Sequence, residues 1–168
     1  MSDFSIRTDP GDVPMGDPIA FFITWPTYGT WLPGDERGWV EFKHGWQLPK
    51  PSLELECKSR MTEDACKLTL PQRELCERQV RETSGFRGWE VNAASCRTNH
   101  MHIVIGAHDT DPRKIRRDIK AWCTRRLKEK FDPERENWWA ERGSIRWVWN
   151  AESLSTVIEY ATEAQDRK

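Results

Sequence analysis

The sequence lacks the features that would commit it to a membrane, a disulfide scaffold or a zinc site. No run approaches the roughly 18 consecutive apolar residues of a membrane helix. The opening stretch MSDFSIRTDPGDVPMGDP is polar and proline-rich, without the charged-then-apolar pattern of a secretory signal. The five cysteines, at 57, 66, 76, 96 and 123, are odd in number and never form a CxxC pair. That usage predicts reduced thiols in a cytoplasmic protein. Net charge is −1, which taken alone argues against a nucleic-acid partner. There is no internal repeat, and only two tyrosines, Tyr28 and Tyr160, occur in the chain.

What is present predicts one α+β domain. At 168 residues, 37% apolar and 32% charged, the chain is long enough for a core and has a wet surface. Residues 1–18 read as a flexible tail, and 19–168 as a single domain. The near-neutral total hides one basic element. The segment PRKIRRDIKAWCTRRLKEK (112–130) holds nine Lys/Arg and two acids, a local charge of +7. A solvated helix face is the plain reading of such a segment, and contact with a polyanion the sharper one.

Patterning orders the rest. IAFFITW (19–25) is a β-branched and aromatic strand. Residues 26–51 interleave prolines and glycines with Trp31, Trp39 and Trp46, and hold no period. They predict a long structured loop with room for a hairpin. LPQRELCERQVRETSGF (70–86) reads as a helix with Pro71 in its first turn and Gly85 as its stop. Residues 88–98 and 99–107 are two strands joined at Thr98-Asn99. The basic segment 112–130 is a helix with Ile115, Ile119, Trp122, Cys123 and Leu127 on one stripe. SIRWVWN (144–150) is a strand, and 151–168 a last helix with Leu154, Val157, Ile158 and Ala161 inward. The order is the ferredoxin-like split β-α-β-β-α-β pattern. It predicts an antiparallel sheet of four or five strands, helices on one face, and an added C-terminal helix.

Two histidines stand out in NHMHIVI (99–105). His100 and His102, at i and i+2 on a strand, share a face about 7 Å apart, suited to one metal ion, while Met101 points into the core. Ordinary polar residues on a half-buried strand are the plain alternative. Tyr160 falls at about 240° on the last helix, against an apolar stripe centred near 340°, counting about 100° per residue. That is the stripe's edge, where a tyrosine serves amphipathic packing or faces a site.

In combination, NHMHIVI on a strand, a basic helix after it and EYATEAQ on a closing helix resemble the single-tyrosine HUH transposases (His-hydrophobic-His). These are single-strand DNA transposases of insertion sequences, including those associated with repetitive extragenic palindromes. TYGTWLPGDERGWV (27–40) is similar to the aromatic loop of one branch. The resemblance spans about residues 19–167. It implies a metal-dependent tyrosine endonuclease and strand transferase on single-stranded or hairpin DNA. His100 and His102 would bind Mg²⁺ or Mn²⁺, and Tyr160 would attack phosphorus to form a 5′-phosphotyrosine. The third metal ligand departs from the family pattern, where a Gln or Asn follows the tyrosine by one turn. Here that position is Ala164, so the resemblance points to Gln165 and helical geometry to Glu163. A homodimer and a monomer both remain open.

For DNA contact, Arg113, Arg116, Arg117 and Lys120 are the candidate phosphate ligands. Tyr28, Trp31, Trp39 and Trp46 are candidates for stacking on unpaired bases or for packing the loop. Trp147 and Trp149 share a strand face and read as core ahead of base-stacking. His44 and His108 read as bland. Two other functional readings compete: a non-catalytic module of the same fold that binds DNA hairpins, and an unrelated sheet-based RNA-binding domain.

Overall fold

The structure, a computed structural model, describes residues 17–107, 109–141 and 143–163. Its ten elements are β1 (Ala20–Pro26), β2 (Trp39–Glu41), β3 (Gly45–Gln47), α1 (Pro51–Ser59), α2 (Leu70–Arg87), β4 (Glu90–Cys96), β5 (His100–Gly106), α3 (Pro112–Lys130), β6 (Ser144–Val148) and α4 (Ala151–Thr162). The main sheet is antiparallel with order β4-β5-β1-β6, the ferredoxin-like arrangement; β2 and β3 form a separate hairpin inside the long loop.

Strand alternation builds two cores, one on each face of the sheet. Phe21, Ile23 and Trp25 of β1 and Met101, Ile103 and Ile105 of β5 face α2 and α3. There they bury against Val80, Ile115, Ile119, Cys123 and Leu127. The intervening Ala20, Phe22 and Val104 face the other way and pack on Val157 and Ala161 of α4. The added C-terminal helix thus covers the face that α2 and α3 leave open.

Local chemistry places the helix ends. Thr69 and Gln72 make a reciprocal capping box at the start of α2. The helix runs through Gly85, the expected stop, and ends at Gly88, whose φ of 77° supplies the left-handed cap. Asp111 caps α3 ahead of Pro112, and Asn150 caps α4 by accepting from the Ser153 amide at 2.8 Å.

Three expectations change. Helix α1 has no buried residue, so it carries no apolar stripe for a sequence reading to find. Trp122 is 40% exposed rather than on the core stripe. The buried row of α3 runs 115-119-123-127 in steps of four, which rotates Trp122 outward beneath Arg125, 5.3 Å from its ring. Trp147 is likewise not core: it is 49% exposed on β6, an edge strand. The cysteines are free thiols, as expected, and Cys66, Cys76, Cys96 and Cys123 are buried.

Because Ile119 is fully buried and Trp122 is not, their truncations should separate. Ile119→Ala is expected to cost about 2–5 kcal/mol by the usual cavity penalty, and Trp122→Ala about 1 kcal/mol or less. Urea unfolding of the two variants checks this ranking.

Candidate active site

The alternation that buries Met101 and Ile103 turns His100 and His102 toward the α4 face. Their ring centroids are 4.5 Å apart. His102 is almost fully buried, and its ring lies stacked on Phe22 at 5.5 Å. Register β1–β5 sets Thr24 directly opposite His102, and the Thr24 hydroxyl meets its Nδ1 at 2.7 Å. The Asn99 side-chain oxygen lies 2.6 Å from His100 Nδ1 and accepts its proton. That places the basic lone pair of His100 on Nε2, the arrangement in which second-shell partners orient metal-binding imidazoles.

Tyr160 comes to the same place from α4. Its ring is 5.9 Å from His102 and edge-on to Phe22 at 6.0 Å, half-buried at the rim of the second core. A guanidinium tie steadies the end of this helix: Arg97, in the β4–β5 turn, donates to the Thr162 carbonyl at 3.1 Å. The carbonyls of a helix's last turn have no partner within the helix, so a cation there meets both an open acceptor and the negative end of the dipole.

A cleft of about 670 Å³ opens beside His100. Lys58, Lys67, Arg73 and Arg97 supply cations along it, and Asp35 and Glu54 carboxylates. The buried Nε of Arg73 has no acceptor among the described residues, which suits it to an incoming anion. Lys58, Lys67, Arg73 and Arg97 were not candidates from the sequence. Arg97 stands three residues before His100 and Asn99 one, so proximity to the motif was their one available signal.

The expected DNA contacts lie elsewhere. α3 packs on the opposite face of the sheet from the histidines. On it, Arg113 pairs with Asp111 at 2.9 Å, Arg116 donates to the Gly143 carbonyl at 3.2 Å, and Arg117 is exposed beside Asp118. Lys120 donates to the Ala140 carbonyl at 2.7 Å, and burial pushes its pKa down to about 8. Tyr28 packs against the core, its hydroxyl accepting from the Thr62 amide at 3.1 Å. Trp31 donates to the Gly38 carbonyl at 2.8 Å and meets Trp46 edge-on, and Trp46 is half exposed. Among the described residues, Glu163 does not join His100 and His102 in a metal-holding cluster of His, Cys, Asp or Glu side chains. Gln165 and His108 lie outside the described residues.

The family model for IS200-like transposases matches residues 66–163, which spans α2, β4, β5, α3, β6 and α4. The chain belongs to this family. No curated protein matches it. Among solved structures, this IS200-like transposase is similar to a REP-associated tyrosine transposase bound to a REP hairpin. That match has a TM-score of 0.52 at 15% identity, over 89% of this chain and 68% of the other. It is also similar to a Deinococcus radiodurans R1 chain described as a possible transposase, with a TM-score of 0.47 at 14% identity, over 92% and 95% of the two chains. Membership makes the chain a DNA-processing enzyme of transposition. Among the described residues no helix is long and apolar enough to cross a membrane.

Lys120 generates a pH prediction. Its folded pKa lies below the usual 10.5, so the unfolded chain holds more protons between about pH 8 and 10.5, and stability rises with pH there. Lys120→Met removes this titration. Wild type should therefore gain on the variant as pH is raised from 7 to 10, read as the difference between their urea midpoints. A constant difference would show that the ammonium pays no desolvation cost.

Proposed function

We propose that this IS200-like transposase is a metal-dependent tyrosine endonuclease and strand transferase acting on single-stranded or hairpin DNA. The observation that carries this reading is the meeting of Tyr160 with His102 and His100. Tyr160 on α4 lies far in sequence from the two histidines on β5, and His100 borders a cleft lined with cations. A core tyrosine would need no such neighbours. The hairpin bound by the REP-associated relative supports the same substrate class.

The donor set fits a divalent ion. Two imidazoles on one strand face, each with Nδ1 in a hydrogen bond, would offer Nε2 to it. Imidazole donors suit Mn²⁺ better than Mg²⁺, which prefers an all-oxygen shell. The resemblance implies a further oxygen ligand shortly after Tyr160 in the chain, for which Gln165 is its candidate. His100 and His102 would hold such an ion, and it would supply positive charge to offset that developing on the scissile phosphate.

The remaining steps belong to the chain's own groups. Tyr160 loses its phenolic proton and its oxygen attacks phosphorus. The bond from phosphorus to the 3′ oxygen breaks, and that oxygen takes a proton to leave as a 3′-OH. The 5′ phosphate stays on the tyrosine. A 3′-OH from another cut end then attacks the phosphotyrosine, phenolate departs, and the strand is rejoined without an external energy source. Arg97 and Arg73 are placed to hold flanking phosphates, and Arg97 also fixes the turn of helix beyond Tyr160.

Incubation with labelled hairpin DNAs and Mn²⁺ should yield a covalent protein–DNA band on a denaturing gel, absent with Tyr160→Phe. Binding without any adduct would instead identify a hairpin-binding module that has lost cleavage. Thr24→Val should leave the adduct intact at high Mn²⁺ while raising the metal concentration for half-activity about 10-fold or more, the usual effect of losing a second-shell partner.

A further inference from the structure

A second cavity, of about 460 Å³, lies on the opposite face of the sheet from Tyr160, between the start of α3 and the edge strand β6. Its floor is apolar, formed by Phe21, Ile145 and Trp147, and its rim carries Asp17, Asp109 and the Asp111–Arg113 pair, 2.9 Å apart. That volume is typical of small-ligand sites.

Trp147 is the unusual residue. Half its surface is open to solvent, yet the ring is fixed. Phe21, its cross-strand partner, meets it edge-on at 5.5 Å, and Trp149 stacks against it at 5.9 Å with planes 21° apart. An indole held on two sides and open on the rest is a pre-ordered stacking platform. The rim adds selectivity. Carboxylates accept hydrogen bonds from an exocyclic amino group and repel phosphate. Arg113 pairs with Asp111 at the same rim, which leaves Asp17 and Asp109 as its other carboxylates. A ligand with an aromatic plane and an amino edge satisfies both features. A simple cation would leave the indole face unused.

We propose that this cavity receives an unpaired cytosine or adenine of the bound DNA, stacked on Trp147, with its amino group on Asp17 or Asp109. The proposal rests on DNA being the substrate, and it is independent of cleavage.

The test is fluorescence anisotropy of short labelled oligo(dC), oligo(dA) and oligo(dT) at one fixed salt concentration. Wild type should prefer dC and dA to dT. Trp147→Leu keeps the apolar cover but cannot stack; it should weaken dC and dA binding about 10-fold, the scale of one lost base stack. Asp17→Ala with Asp109→Gly should erase the preference over dT, and glycine tolerates the positive φ at 109. Unchanged dC and dA binding by Trp147→Leu, with an unchanged circular dichroism spectrum, would overturn the proposal. So would equal weakening for all three oligonucleotides, or no binding to any of them by wild type. The Tyr160 adduct separates the two readings. If Trp147→Leu weakens dC binding but wild type forms no adduct, the base site stands and cleavage falls. If the adduct forms and Trp147→Leu binds like wild type, cleavage stands and the base site falls.

Discussion

The two-residue alternation of β5 is the constraint on which everything else depends. One strand of seven residues must bury Met101, Ile103 and Ile105 against α2 and α3, and on its other side present His100 and His102. A slip of one residue would exchange these sets, placing two imidazoles in the main core and three large apolar groups at the site. The cost of that exchange is what fixes the register. The pairing of β5 with β1 then brings Thr24 opposite His102 and Phe22 beneath its ring. The geometry of the candidate site is therefore a by-product of core burial, and its precision is that of the sheet.

α4 is held differently. It buries only Val157 and Ala161 completely, and its apolar stripe covers a small second core. So modest an interface would leave the helix terminus, where Tyr160 sits, free to fray. The Arg97–Thr162 hydrogen bond works against this at the position where fraying would matter. It also joins the β4–β5 turn, which leads directly into the histidines, to the helix that carries the tyrosine. The two halves of the site are thus tied through a single side chain as well as through apolar contact.

What could be read in the sequence follows the range of the interactions involved. The bounds of α3, the capping of α2 near Pro71, the β4–β5 turn and the facing of His100 and His102 are local, set by periodicity and by residues a few positions apart. The fold order followed from these. Thr24 as the partner of His102, and Lys58, Lys67 and Arg73 beside His100, depend on which strands and helices meet in space, and no local pattern carries that. Trp147 was misplaced for a related reason. Alternation says which face a strand residue takes, but whether a helix covers it there depends on tertiary packing, and at the edge of this sheet none does. Helix α1 escaped because a helix without a buried face leaves no periodic trace.

The basic helix shows how far charge patterning reaches. A local charge of +7 on one segment pointed to a polyanion, and the cations are exposed over much of α3. But Lys120 is spent on loop carbonyls and Arg116 on Gly143, both of which anchor the segment leading into β6. The cations nearest the histidines come instead from scattered single positions, each unremarkable in its own stretch of sequence. A polyanion engaging both sets would have to pass from the cleft at His100 around the sheet to the α3 face. A flexible or bent nucleic acid can follow such a path, whereas a straight duplex lying on one face cannot touch both. The distribution of charge, more than its amount, therefore sets which surfaces of the chain one polyanion could reach at once.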